Sequence, residues 1–371
     1  MNSLMNEPNR FSLSQYPKKL FGVALDPVDD PWNLQFKHAW MAADTTKLDW
    51  LSACPDPYGA VTESLAGILE EQHIRSFGRF PVPSWLWPKP KQSDLPLVTA
   101  KNMADFFDSG SLFKIVKQLQ GFITNSIFPE IPIMIGIDHS ATAGVISALA
   151  DRYSPKMLSV VVLDQHLDAL PLSVRLAGAS RAEPDSIPGM PFTASNIPVG
   201  FSDQFCCGNF WAYLIDDGSV LPENLLFIGV ADYPDHEADL NRDDFRRRYL
   251  SFEERGCSFF PLRRFEGQYI DALTRFFREK ITTPYVYVSL DLDVGSYNST
   301  YAARYMDRPG ISKQNLLDVA SIIAGGCRQG RLKMAGLDIM EFNIHFLGIE
   351  TPSGIKDATL PLVGEFIKIL T

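Results

Sequence analysis

Six short stretches of the chain are apolar at almost every position: FGVAL (21–25), IPIMIG (131–136), SVVVL (159–163), LLFIGV (225–230), YVYVSL (285–290) and KMAGLDIM (333–340). None alternates apolar with polar residues, so each predicts a strand covered on both faces. Between them lie segments with apolar residues at helical spacing, such as SATAGVISALADRY after IPIMIG and SKQNLLDVASIIAGG before KMAGLDIM. Ser312 is the N-cap candidate of the second, with Asn315 and Leu316 opening its apolar face. Buried strands separated by helices predict an α/β fold, a three-layer arrangement around a mainly parallel sheet. In such folds ligands gather outside the carboxyl ends of the strands.

The least regular region is FPVPSWLWPKPKQSDLP, residues 80–96, whose five prolines exclude regular helix or central strand. It predicts an extended loop with Trp85 and Trp87 packed beneath it. No repeat or low-complexity linker divides the 371 residues. The net charge of -10 excludes a general binder of nucleic acid or anionic membrane. Basic residues such as Arg246–Arg248 sit among acids in NRDDFRRRYLSFEER and predict a solvated helix face. Five cysteines form no CxxC pair, and the N-terminus lacks a basic-then-apolar signal, so the expected setting is reducing and cytoplasmic. No apolar run reaches the ~20 residues of a membrane span.

The polar residues at the strand ends form a pattern. IPIMIG is followed by IDHS (Asp138, His139), SVVVL by DQHLD (Asp164, His166, Asp168), YVYVSL by DLD (Asp291, Asp293) and LDIM by Glu341. In DQHLD the three ionisable residues fall at alternate positions, which on an extended chain share one face. A parallel sheet would bring all four groups to one rim. So many carboxylates beside two imidazoles are stable together only around cations. Oxygen-rich ligands with a minority of nitrogen and no thiolate favour manganese or magnesium over zinc or iron. Two ions sharing carboxylates would acidify a water between them, and the expected chemistry is hydrolysis.

GIDHS, DQHLD, SLDLD and DIMEFN, in this order, resemble the signature segments of the ureohydrolases, the arginase and agmatinase superfamily, over roughly residues 130 to 345. The resemblance implies a single arginase-like domain over residues 1–371, with residues 1–130 its divergent part. It implies two manganese ions: one held by His139, Asp164, Asp168 and Asp291, the other by His166, Asp164, Asp291 and Asp293, with Asp164 and Asp291 bridging. Asp168 would also orient the attacking water, and Glu341 would pair with the substrate guanidinium, releasing urea. A homo-oligomer is a further implication.

The sequence departs from that family in five places. Ile137 and Gln165 replace smaller residues and are expected to be packing changes. The Asp-Pro that usually follows the third motif is missing from SLDLDVGSYN. The usual His-Gly pair, whose histidine carries a proton to the leaving amine, corresponds to Cys207-Gly208 in QFCCGNFWAYL; Cys207 is expected to be inert, with Asn209 a candidate substrate contact. His345, four residues beyond Glu341, then becomes the first candidate for the proton carrier, with His38 the second. The stretch ALPLSVRLAG, where polar contacts to free arginine are expected, is mostly apolar apart from Arg175. The resulting expectation is a peptide arginase that turns arginine side chains of a precursor peptide into ornithine, the aromatic runs FWAY and SWLWP fitting a peptide cleft. The alternatives are a hydrolase of arginine, agmatine or guanidinobutyrate, a formiminoglutamase-like or deacetylase-like enzyme, and a metal-binding regulatory protein without turnover.

Overall fold

The computed structural model describes residues 17–28, 31–44, 49–169, 204–231, 233–234, 244–350 and 354–371. Arg175, His236 and most of ALPLSVRLAG lie outside the described residues. Among the described residues eight strands form one sheet: β1 (Lys18–Val23), β2 (Ile74–Arg79), β3 (Ile131–Gly136), β4 (Leu158–Leu163), β5 (Leu225–Ile228), β6 (Ser258–Phe260), β7 (Tyr285–Asp291) and β8 (Lys333–Met340). All neighbouring pairs are parallel, in the order β2-β1-β3-β8-β7-β4-β5-β6.

Each central strand buries both faces. In β4, Val160 and Val162 join the apolar layer on one side, while Val161 and Leu163 join the layer on the other. Such burial requires the unbroken apolar runs seen in the sequence. The six expected strands are all present, though the first lies three residues earlier than expected. The two unforeseen strands, β2 and β6, are the edges of the sheet. β2 reads IRSFGR and is largely exposed beyond Ile74, and β6 has three residues. Neither has the length or apolar run that signals a strand.

The helix Lys313–Arg328 begins as its sequence demands. The Ser312 hydroxyl accepts from the Asn315 amide at 3.2 Å, and the Asn315 side chain accepts from the Ser312 amide at 2.9 Å. Residues 80–96 hold only two single-turn segments, Ser84–Leu86 and Gln92–Asp94. Beneath them Trp85 meets Phe106 edge-on at 5.7 Å, and the Trp87 indole donates to the Val82 carbonyl at 2.9 Å. Both tryptophans pack on the core. Among the described residues no helix is long and apolar enough to cross a membrane.

Sheet order matters more for the site than any helix. β3, β8, β7 and β4 are consecutive, and Leu163 is level with Leu290, as Asp291 is with Met340. The four polar strand ends therefore meet in the middle of the sheet.

Candidate metal centre

His139 is the hub of the first group. Its Nδ1 lies 3.0 Å from Asp168 Oδ2, 3.1 Å from Asp291 Oδ2 and 3.4 Å from Asp164 Oδ2. A second group combines Asp164, His166 and Asp293, with His166 Nδ1 2.8 Å from Asp293 Oδ2. Asp164 belongs to both groups, and Asp291 is found with the first. Asp138 stays outside them, capping the turn at His139–Ala141 through the Ser140 amide.

The convergence within DQHLD does not come from strand alternation, as the sequence suggested. β4 stops at Leu163, and the chain then bends, reaching a left-handed φ of 47° at Asp168. Glu341 is also left-handed, at φ 59°. Backbone of this kind on non-glycine residues is costly and concentrates at sites that need it.

The aspartates are oriented by backbone. Asp164 Oδ1 accepts from the His166 amide at 2.6 Å, Asp291 Oδ1 from the Asp293 amide at 2.9 Å, and Asp293 Oδ1 from the Gln165 amide at 3.0 Å. Each thereby turns its Oδ2 towards an imidazole. The imidazoles are oriented from behind. Ser289 donates its hydroxyl proton to Asp338 Oδ1 at 2.7 Å, so its oxygen is left to accept from His139 Nε2 at 2.8 Å. This network assigns the proton of His139 to Nε2 and frees Nδ1 for a ligand.

Asp338 and Ser289 were missed in the sequence, although a lone acid within the apolar run KMAGLDIM is a legible signal. Asp338 is fully buried and also accepts from Thr142 and Tyr287.

Without metal, protons hold the cluster together. Burial pushes the Asp164 carboxyl well above its ordinary range, with Asp168, Asp291 and Asp293 adding to it. Burial and Asp291 raise Asp293 to about 7, against the pull of His166. Burial opposes charge on His139 and His166, but the surrounding carboxylates outweigh it and hold both imidazoles well above their usual value. Asp164 Oδ2 is buried without a hydrogen bond. An orphaned carboxylate oxygen between two imidazoles, in an oxygen-rich donor set, fits a pair of divalent cations.

Glu341 lies at the edge of this centre. Its Oε1 accepts from the His139 amide at 3.0 Å, and its Oε2, which carries no hydrogen bond, has Arg304 Nε at 3.6 Å. Burial raises its carboxyl well above the usual range, Arg304 pulling the other way. Arg304 in turn donates to Asp26 at 2.6 Å, and Asp26 pairs with the buried Lys37 at 2.7 Å. None of these three was singled out in the sequence.

The remaining candidates belong to neither group. His345 stacks on Phe36 at 5.4 Å, and burial together with Lys89 lowers it to about 4. It is neutral at pH 7, with one ring nitrogen protonated and the other free to accept. Asn209 is buried, its Oδ1 accepting from the Cys206 amide at 2.9 Å and its Nδ2 donating to the Gln204 carbonyl at 2.7 Å. Its amide closes a turn, which is a structural job. Cys207 is a buried thiol, and His38 is on the helix Pro31–Ala42.

Phe210 and Trp211 are fully buried, with the Phe210 ring 4.9 Å from that of His139. They wall the centre from within the core, while Tyr213 of the same run is exposed and Trp85 and Trp87 are partly buried. Gln165, expected to be a packing change, is a hydrogen-bonding residue: its Nε2 donates to the Arg308 carbonyl at 2.7 Å.

The sequence model of the Arginase family matches residues 72–347, so the match begins well before residue 130. Solved structures share the fold at low identity. Proclavaminate amidino hydrolase from Streptomyces clavuligerus is 18% identical with a TM-score of 0.53, over 96% of this chain and 90% of that one. Arginase from Bacillus caldovelox is 15% identical with a TM-score of 0.55, over 96% and 98%. Formimidoylglutamase from Bacillus subtilis is 12% identical with a TM-score of 0.52, over 99% and 93%. No curated protein sequence matches.

Proposed function

This chain belongs to the arginase family and is a hydrolase acting on amidines; from that premise we propose that it removes urea from the guanidino group of arginine side chains in a peptide, leaving ornithine. The observation that carries the hydrolytic reading is the pair of donor groups sharing Asp164, with Glu341 hydrogen-bonded to the His139 amide beside them. Two manganese ions would be held by His139, Asp164, Asp168 and Asp291 and by Asp164, His166, Asp291 and Asp293. When bound they supply Lewis acidity and acidify a water.

The chain's own residues do the rest. Glu341 receives the substrate cation on Oε2, which has Arg304 beside it but accepts no hydrogen bond, and so fixes the guanidinium carbon near the donor groups. Among the aspartates of the centre, Asp168 keeps the most solvent contact, its side chain 14% exposed against 3% or less for Asp164, Asp291 and Asp293. In this reading Asp168 accepts a proton from the attacking water and returns it to the nitrogen that leaves. The water oxygen bonds to the guanidinium carbon, the bond to the side-chain nitrogen breaks, and that nitrogen, taking the water's second proton as well, departs as the ornithine ammonium while the carbon leaves as urea. Phe210 and Trp211 keep the inner wall dry.

Peptidyl arginine is favoured over the free amino acid by the apolar residues Ala169, Leu170 and Leu172 after the second motif. Arg304, already beside Glu341, supports a second reading: a formimino-type amidine presents fewer donors than a guanidinium and asks less of a carboxylate that is partly engaged. The test is incubation of manganese-loaded protein with arginine, agmatine, guanidinobutyrate, formiminoglutamate and an arginine-containing peptide. Loss of cyanamide mass from the peptide with urea in solution is the expected result. Turnover of formiminoglutamate alone would establish the second reading, and no turnover of any substrate at full metal occupancy would refute both.

A further inference from the structure

A loop downstream of the third motif, residues 303–311, is held against the second donor group. Ala303 bridges Phe342, and the chain then turns at Tyr305, which is left-handed at φ 52°. Gln165 clamps the next residues from the opposite side: its Oε1 accepts from the Asp307 amide at 3.3 Å, and its Nε2 donates to the Arg308 carbonyl. The loop closes where the Gly310 and Ile311 amides donate to the Ser296 and Val294 carbonyls, each at 2.8 Å. Glycine is required at 310, because a Cβ there would meet the Val294 carbonyl oxygen at 2.0 Å. Asp307 is thus fixed by backbone on both sides although its side chain is 65% exposed.

Its carboxylate reaches His166. Asp307 Oδ2 lies 3.0 Å from His166 Nε2, while His166 Nδ1 faces Asp293 on the other side of the ring. An ionised carboxylate only accepts, so Asp307 keeps a proton on Nε2, and it is Nδ1 that would give up its proton to a cation in the donor group. The arrangement repeats, in an exposed loop, what Ser289 and Asp338 do for His139 in the core. We infer that Asp307 is a positioning residue that fixes the tautomer and direction of His166 for the second ion, and that Gln165 holds Asp307 there. One departure from the family pattern, Gln165, then has a positioning job.

The inference rests on reading the two groups as a metal pair, and Mn2+ titrated into the metal-free full-length protein separates the two claims. Wild type takes up two ions. Asp307→Ala weakens the second by roughly ten- to a hundredfold and leaves the first unchanged, as loss of such an outer partner does elsewhere. Asp307→Asn, which keeps an acceptor for Nε2–H, restores most of the affinity, and Gln165→Ala gives a smaller loss at the same ion. In the metal-free protein, at a pH high enough for His166 to be neutral, its nitrogen shifts change from the Nε2–H pattern to a tautomer mixture in Asp307→Ala only. Two ions bound by Asp307→Ala as tightly as by wild type would remove this inference alone. Equal weakening of both ions with a lower melting temperature would also remove it, as a structural effect. A wild type that binds one ion or none would overturn the metal pair and this inference together.

Discussion

Arg304 Nε stands 3.6 Å from Glu341 Oε2, so the carboxylate expected to receive a substrate cation already has one of the protein's own beside it. The pairing is built by backbone: the Arg304 amide donates to the Glu341 carbonyl at 2.8 Å, and the Asn343 amide to the Ala302 carbonyl at 2.9 Å. Removing one partner of a buried ion pair leaves the other uncompensated, at a cost of about 3–5 kcal/mol. Arg304→Met is therefore expected to lower the melting temperature markedly, and Arg304→Lys less so. An Arg304→Met protein that melts with wild type would show that the pair contributes nothing to the fold.

Glu341→Gln keeps the shape and the contact with the His139 amide but removes the charge offered to a cationic substrate. Urea release is expected to fall by about a hundredfold or more, with metal content unchanged. Equal loss of metal would mean that Glu341 serves the centre and not the substrate.

Asp164 belongs to both donor groups, so its removal acts on both. Asp164→Ala should lose both ions in elemental analysis, whereas His166→Ala should spare the first. Retention of one full equivalent by Asp164→Ala would refute the shared-ligand arrangement.

The centre binds protons more tightly when folded than when unfolded. Asp293 is raised to about 7, and Asp164, His139 and His166 are raised well above their ordinary values. Groups whose folded values are raised contribute stability that is complete below the unfolded values and lost as pH rises through the folded ones. The metal-free protein should therefore melt higher at pH 6 than at pH 8. Mn2+ must displace these protons, so its affinity should fall as pH drops through about 7 and its binding should release protons into buffer. Calorimetry in two buffers of different ionisation enthalpy measures that release, and its absence at pH 6.5 would contradict the protonated cluster.

His345, lowered to about 4 by burial and by Lys89, is neutral through the working range. His345→Ala is expected to keep urea release within about twofold of wild type, since an outlying side chain carries little of the transition-state stabilisation. A loss of a hundredfold would instead establish it as the proton carrier.

The sequence by itself determined the strands that bury both faces, because only unbroken apolar runs satisfy two layers, and it named the donors, because carboxylates and imidazoles at strand ends have few other reasons to be there. It did not reveal β2 and β6, whose edge positions ask for no such run. What only the tertiary structure decided is how the pieces meet. Chain order does not dictate that β3, β8, β7 and β4 lie side by side, since parallel crossovers can place a strand on either side of its predecessor. Nor does it show that DQHLD converges through a left-handed bend at Asp168. The groups behind the donors were hidden for the same reason: Ser289 and Asp338 act on His139, Asp307 on His166 and Arg304 on Glu341 across gaps in sequence that spacing rules cannot span. A motif records which atoms carry the chemistry, whereas their directions depend on contacts that exist only once distant segments have packed.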